Sequence, residues 1–421
     1  MTTPQIAALV IFLIVIVAIM TEKVHRAVSA TAGAVLLLLF GILNVDSAVS
    51  YIDFNTIGVL IGMMLFVAVV KNSGIFEFIA IKSAKLAKGD PWHIMVQFII
   101  ITAVLSAFLD NVTTVLLIGP MTIAITQILK INPVPFLMTQ IMASNIGGTA
   151  TLIGDPPNIM IGSAAGLSFV DFILNTGVAA AIILVVMIIC FRFLYGKQLV
   201  VDAEKTELIM ELDEAKTIKD RPLMMKSIVM IALVVVGFVT HSSLGIESCV
   251  VALTAAAVML LIGKQDAEDI IANVEWATIV FFVGLFIVVG GLQETGIIGM
   301  LAQALIDVTH GDVFVTMLLL LWLSAIFSAF LDNIPFVATL IPMIITMSQS
   351  GVDVTPLWWA ISLGACLGGN GSLIGASANV VLSGISNKNG YPITFMSYLK
   401  VGFPLMIVSI IIATGFLLIR Y

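Results

Sequence analysis

Six consecutive residues, Ser106-Ala107-Phe108-Leu109-Asp110-Asn111, recur as Ser328-Ala329-Phe330-Leu331-Asp332-Asn333, at an offset of 222. The same offset pairs Gly41 with Gly263, Gly62 with Gly284, Gly74 with Gly296, and Pro120-Met121 with Pro342-Met343. After a slip of one residue, Gly147-Gly148 pairs with Gly368-Gly369, Leu152-Ile153-Gly154 with Leu373-Ile374-Gly375, and Asn158 with Asn379. An unbroken run of six identities marks a duplication. The fold must therefore be assembled from two copies of one unit, as in many transporters.

The solvent of that fold is lipid. The chain of 421 residues is 60% apolar and only 10% charged, against about a quarter charged in soluble domains. A hydrocarbon core of about 30 Å takes roughly 20 apolar residues per helix, and runs of that length recur from Pro4 onward. Expected spans are 4–20, 28–43, 55–71, a pair at 93–129, 135–167 and 171–195. After a polar stretch come 227–241, 247–263, 276–291, a pair at 313–349, 354–387 and 395–419. The expected fold class is an all-α polytopic membrane protein of two five-span repeats, 1–196 and 227–421, joined by a linker at 197–226. The first apolar run lacks a basic segment before it and reads as a retained span, not a cleaved leader. Cys190, Cys249 and Cys366 are an odd, dispersed set, unlike a disulfide framework or zinc site. His25, His93, His241 and His310 form no cluster and read as interfacial. Neither a nucleophile–base pair, a cofactor motif nor a nucleic-acid signature appears, which argues against an enzyme.

An odd number of spans per copy inverts the second repeat. Under this assignment Arg420 alone among the 18 Lys and Arg residues falls on one face. The other face carries Lys23, Arg26, Lys71, Lys82, Lys85, Lys88, Lys130, Arg192, Lys197, Lys205, Lys216, Lys219, Arg221, Lys226, Lys264, Lys388 and Lys400. Basic residues collect on the cytoplasmic side, so the linker is expected in the cytoplasm and both termini outside the inner membrane. The net charge of −7 says less than this placement.

Two kinds of irregularity mark where chemistry is possible. The paired segments 93–129 and 313–349 have arms of about 16 residues, roughly 24 Å at helical rise and short of a crossing. They read as re-entrant hairpins with tips at Asp110-Asn111 and Asp332-Asn333. Segments 135–167 and 354–387 are too long for one helix, and Gly147-Gly148, Asp155-Pro156-Pro157 and Gly368-Gly369 break them. Broken backbone at membrane depth survives only inside protein or around a wet cavity, and midplane sites are built that way.

The candidate site residues follow. Asp110 and Asp332 are costly carboxylates at mid-bilayer, although an Asp at a turn also caps a helix. Asn111, Thr113, Asn145, Thr149 and Thr151 offer neutral oxygens around the first tip and break, and Asn333, Asn370 and Ser372 around the second. Gly148 and Gly369 lie at the breaks themselves. Asn158 and Asn379 sit one turn into each second half-helix. Asp155 reads first as an N-cap before Pro156, since its counterpart is Ala376. Such oxygens with one carboxylate suit a hard cation such as sodium, with Asp110, Asn111 and Thr151, and Asp332, Asn333 and Ser372, as candidate ligands. Helix N-termini at the same breaks suit an anion. Cys366, just before the second break, reads as inert packing. No resident cofactor is expected beyond sodium.

Ser106 to Leu117, with Ser144-Asn145-Ile146-Gly147-Gly148 and Gly154-Asp155-Pro156-Pro157-Asn158, resembles the ion transporter superfamily. The nearest branch is the arsenite permease and sodium–proton antiporter (ArsB/NhaD) family, in particular its P-protein-like members. The resemblance implies a homodimer, with a scaffold domain and a transport domain that holds both hairpins and both broken helices and moves as an elevator. It implies a secondary transporter of a small inorganic ion or oxyacid, coupled to protons or sodium, with arsenite or antimonite efflux as the family default. A sodium–proton antiporter and a sodium-coupled anion importer are the alternatives. The dicarboxylate branch carries Ser-Asn-Thr at its tips. Asp110-Asn111-Val112 and Asp332-Asn333-Ile334 replace it here, and two fixed anions would repel a dianion.

Overall fold

The computed structural model describes residues 1–21, 23–199 and 203–421. Residues 200–202 of the expected linker, and the side chain of the basic residue Lys205, lie outside the described residues. Every regular element described is helical. The first half runs α1 Thr3–Thr21, α2 Arg26–Leu39, α3 Val45–Ser50, α4 Phe54–Lys71, α5 Ile75–Leu86, α6 Pro91–Phe108 and α7 Asn111–Ile128. It continues with α8 Val134–Thr149, α9 Pro156–Ala165, α10 Phe169–Phe172 and α11 Val178–Tyr195. A connecting helix, α12 Ala203–Met210, leads to α13 Arg221–Thr240, α14 Ser248–Gly263, α15 Ala267–Ala272, α16 Trp276–Glu294 and α17 Ile297–Thr309. The chain ends with α18 Val313–Phe330, α19 Asn333–Gln349, α20 Thr355–Gly368, α21 Ser377–Lys388 and α22 Phe395–Arg420. Among the described residues, nine helices are long and apolar enough to cross a membrane.

The duplication shows in the element bounds: α2 to α9 correspond to α14 to α21 at the sequence offset. Local signals repeat with them. Asp90 caps α6 by accepting from the His93 amide, and Asp312, its counterpart, caps α18 by accepting from the Phe314 and Val315 amides. Gly74 and Gly296 enter α5 and α17 at φ of 82° and 78°, a left-handed turn that costs glycine nothing.

Packing between the halves is reciprocal. Helix α4 lies on α14, and α2 lies on α16. A Cβ on Gly62 would stand 2.6 Å from the Ala252 carbonyl carbon, and one on Gly284 would stand 2.7 Å from that of Ala30. Ala30 and Ala252 are themselves repeat-related, so one small-residue contact is used twice to bring backbones together. The return arm α7 packs on α21, and α19 packs on α9. Each hairpin thus rests on the other half's broken helix.

Three expectations are corrected. The hairpin arms are longer than about 16 residues: α6, α7 and α18 have 18 each and α19 has 17. At about 1.5 Å per residue arm length no longer distinguishes a hairpin from two crossings. Helices α3, α5, α15 and α17 were not expected, because they are short or amphipathic and a search for apolar spans passes over them. The linker is shorter than 197–226, because Asp220 accepts from the Leu223 amide at 2.9 Å and starts α13 at Arg221. What remains is docked on α5. Lys85 Nζ meets Glu214 Oε2 at 2.6 Å and the Leu212 carbonyl at 2.8 Å, and Lys219 Nζ meets Glu77 Oε1 at 3.0 Å. The hydrogen bond from Lys85 holds the Glu214 carboxyl below the usual range.

Candidate functional site

Both hairpin tips form because a helix stops on an extended leucine and restarts on an aspartate. Leu109 has φ −115° and ψ 160°, and Leu331 has φ −125° and ψ 149°. Asp110 then caps α7, with Oδ1 accepting from the Thr113 amide at 2.8 Å and Oδ2 from the Thr113 hydroxyl. Asp332 caps α19 more loosely, accepting from the Ile334 amide at 3.2 Å. Its other oxygen takes a different partner, Arg26 Nη1 at 3.1 Å.

The tips converge on one small cavity of about 30 Å³, room for roughly one or two waters or an ion. Its walls include Asp110, Asn111, Asp155, Glu275, Thr278, Asn333, Ser377 and Arg26. Asp155 stands at the N-cap position of α9, as its sequence context suggested, but its side chain makes no capping bond. Both carboxylate oxygens instead accept from Asn333 Nδ2 of the opposite tip, at 3.4 and 3.3 Å. Three carboxylates, those of Asp110, Asp155 and Glu275, thus line the cavity, with one guanidinium at its edge. Arg26 and Glu275 were missed by the sequence reading because each begins a span, where charge is ordinarily interfacial. Glu275 had a signal, since its partner at the offset of 222 is another carboxylate, Asp53.

Arg26, Asp332 and Ser377 also border a second cavity, of about 320 Å³, lined otherwise by His25 and largely apolar residues such as Ile19, Met20 and Phe330. The small cavity and this larger one share Arg26 and Ser377 in their walls.

The remaining expected site residues lie behind the tips, in a buried network that mends the broken helices. Asn158 Nδ2 donates to the carbonyls of Gly148, Thr149 and Thr151 at 3.3, 3.2 and 2.9 Å. Asn379 Nδ2 donates to those of Gly369 and Ser372 at 2.7 and 2.8 Å. The Gly148 and Thr151 carbonyls are the repeat counterparts of those of Gly369 and Ser372. The Thr151 hydroxyl donates to the Ala107 carbonyl, and that of Ser372 to the Ala329 carbonyl. The Thr149 hydroxyl donates to the Asn145 carbonyl at 2.7 Å. Asn145 sits at the centre: its Nδ2 donates to Asn370 Oδ1 at 2.9 Å and Asn379 Oδ1 at 3.0 Å, and its Oδ1 accepts from Asn111 at 3.2 Å. Cys366, the counterpart of Asn145, directs its thiol to Asn158 Oδ1 at 3.5 Å, and Ser362 donates there too at 2.7 Å. A donor from each first half-helix therefore holds the asparagine of the other half. The structure brings Asp110, Asn111, Asp155 and Asn333 to the cavity, sets Asp332 beside it, and keeps Asn145, Gly148, Thr149, Thr151, Asn158, Gly369, Asn370, Ser372 and Asn379 in the supporting layer. Thr113 serves the cap of Asp110.

Similarity to known proteins runs over most of the chain. A family model described as CitMHS, citrate transporter, matches residues 16–364. An uncharacterised transporter of Mycobacterium bovis is 40% identical over 426 residues, covering 99% of each chain. The P protein of Homo sapiens is 32% identical over 488 residues, covering 96% of this chain and 58% of that protein. Among solved structures, the Alcanivorax borkumensis YdaH transporter aligns over 99% of this chain and 97% of its own, with a TM-score of 0.55 at 15% identity. That last likeness carries the fold alone: an all-helical polytopic membrane protein.

Proposed function

The chain belongs to the CitMHS citrate transporter family, and from that premise we propose that it is a secondary carrier exchanging protons for sodium ions at the cavity between its two tips. One observation carries this reading. Three carboxylates and a single guanidinium surround a space of about 30 Å³ in the protein interior. Excess negative charge at such depth must be balanced, because an unpaired carboxylate in a low-dielectric interior is strongly disfavoured. Protons or a small cation can balance it, and a site that accepts either in turn is an exchanger.

The same geometry supports alternating access by inverted repeats. Two full-length hairpins in an inverted pair would put their turns at opposite surfaces. Here Asn111 and Asn333 line one interior cavity, which favours re-entrant hairpins opening to opposite sides. The reciprocal contacts of α2 with α16 and α4 with α14 suit a scaffold, against which the hairpins and broken helices would slide as an elevator. We orient the linker to the cytoplasm of a cell with an inner membrane, and the termini outward, from the one-sided basic residues.

Citrate, named in the family's description, fits this cavity poorly. A tricarboxylate would meet Asp110, Asp155 and Glu275 with one cation, Arg26, already paired to Asp332. The test is flux in proteoliposomes of the purified chain, with a pH-sensitive dye inside and sodium, arsenite or citrate outside. Sodium-driven proton movement, absent with potassium, is the expected result. Citrate or arsenite uptake without sodium-driven proton movement would overturn the proposal.

A further inference from the structure

The two tips are related by the repeat, yet their carboxylates are not equivalent. Among the described residues, Asp110 hydrogen-bonds only within its own turn, to Thr113. Asp332 meets Arg26, whose counterpart at the offset of 222 is Ser248. The surroundings of that guanidinium are a cage of oxygens. Nη1 donates to Asp332 Oδ2 at 3.1 Å and Ser377 Oγ at 2.6 Å, and Nη2 donates to Thr278 Oγ1 at 3.0 Å. The Phe281 ring closes one face, its centroid 5.2 Å from the guanidinium carbon. Thr278 in turn donates to Glu275 Oε2 at 3.1 Å, and Ser377 to Asp332 Oδ2 at 3.3 Å. One carboxylate and two hydroxyls within 3.1 Å of a cationic group are the ligand set a free monovalent cation would seek.

We propose that Arg26 is a tethered cation occupying the second of two repeat-related cation sites, so that the carrier leaves one tip, that of Asp110, open to an exchangeable ion. Arg26 belongs to α2, outside both hairpins and both broken helices. The occupant of the second site is thus fixed to another part of the fold and cannot be carried. The inference rests on the reading of the central cavity as a cation site and adds its stoichiometry.

The test is equilibrium binding of radioactive sodium to the full chain in nanodiscs at saturating sodium. Arg26→Gln is expected to bind one more sodium per chain than the wild type, and Arg26→Gln with Asp332→Asn is expected to lose that added ion. Arg26→Lys keeps a tethered cation and is expected to match the wild type. If Arg26→Gln does not fold, Arg26→Ala prepared with methylguanidinium serves in its place, and withdrawal of methylguanidinium should expose the added site. The readout is a difference, so it separates from the exchange reading. A wild type that binds no sodium, with a variant that binds one removable by Asp332→Asn, sinks exchange at Asp110 and keeps the tethered cation. Equal sodium counts in wild type and variant, or an added ion that survives Asp332→Asn, overturn the inference.

Discussion

Replacing Asn379 by alanine removes the clamp on the second broken helix. The Asn379 amide is fully buried and is the donor to the Gly369 and Ser372 carbonyls at 2.7 and 2.8 Å. Its Oδ1 also accepts from Asn145, which keeps Asn370 as an alternative partner. Two carbonyls are therefore left without this donor and one amide is not. Hydrogen bonds between membrane helices average about 0.6 kcal/mol where the unfolded reference finds substitutes, giving a lower bound of about 1 kcal/mol for the pair. A buried acceptor left unsatisfied costs about 1–3 kcal/mol, and because the Ser372 carbonyl still accepts from the Gly375 amide at 3.3 Å, the Gly369 carbonyl alone sets an upper range of about 1–3 kcal/mol. The site is walled by α8, α20 and the break itself, so no lipid or bulk water reaches the carbonyls, and the higher range applies. Thermal unfolding of the detergent-solubilised variant, followed by loss of the monodisperse peak, should show a clear drop in midpoint, with Asn379→Leu not restoring it because its side chain fills the space without a donor. A midpoint equal to wild type for Asn379→Ala would refute the claim that this side chain holds the break together.

Further outcomes follow from the same geometry. Gly284→Leu should separate α2 from α16, since even a Cβ would lie 2.7 Å from the Ala30 backbone; overpacking costs about 1–3 kcal/mol, readable as a lowered melting midpoint, whereas Gly299→Ala, with open space around it in α17, should hold the midpoint or raise it slightly. Asp155→Asn should abolish sodium-driven proton flux in liposomes while the protein remains monodisperse, and wild-type flux would remove Asp155 from the exchange. Cysteines placed at Lys216 and Tyr421 should react with an impermeant maleimide from opposite sides of the membrane, and labelling of both from one side would contradict the inverted arrangement. The Glu214 carboxyl lies below its usual range because Lys85 bonds it, so its contribution to linker docking is present above the unfolded carboxylate range and is lost as pH falls through the lowered folded value. Proteolysis of the linker should therefore stay slow at neutral pH and quicken in acid, and Glu214→Gln should be cut quickly throughout.

The tips and breaks were legible because their signals are local. A six-residue repeat, paired glycines and Asp155-Pro156-Pro157 each dictate a chain reversal or a helix break wherever they stand. Which polar residues face the cavity was not legible in the same way. Asn158 and Asn379 read as ligands from their symmetry, but each amide has unwound carbonyls within reach, and nearby backbone acceptors claim it. Asp155 read as a cap, yet the tip of the other repeat brings Asn333 to it across a sequence separation of 178, a contact no local pattern encodes. Arg26 was counted among the basic residues of one face. Its distinction is that Ser248 stands at the equivalent place, so the clue lay in a broken symmetry and not in a motif. Helices α5 and α17 escaped because their apolar residues follow one face, while span detection averages over all faces.

The central claim is that sodium and protons compete for the carboxylates around the small cavity, above all Asp110. Calorimetric titration of sodium into the purified chain measures this directly, when repeated in buffers of different ionisation enthalpy, because the buffer dependence of the heat counts the protons released. The account predicts proton release on sodium binding by the wild type, and neither heat nor release from Asp110→Asn. Sodium binding with buffer-independent heat, or undiminished release from Asp110→Asn, would contradict it.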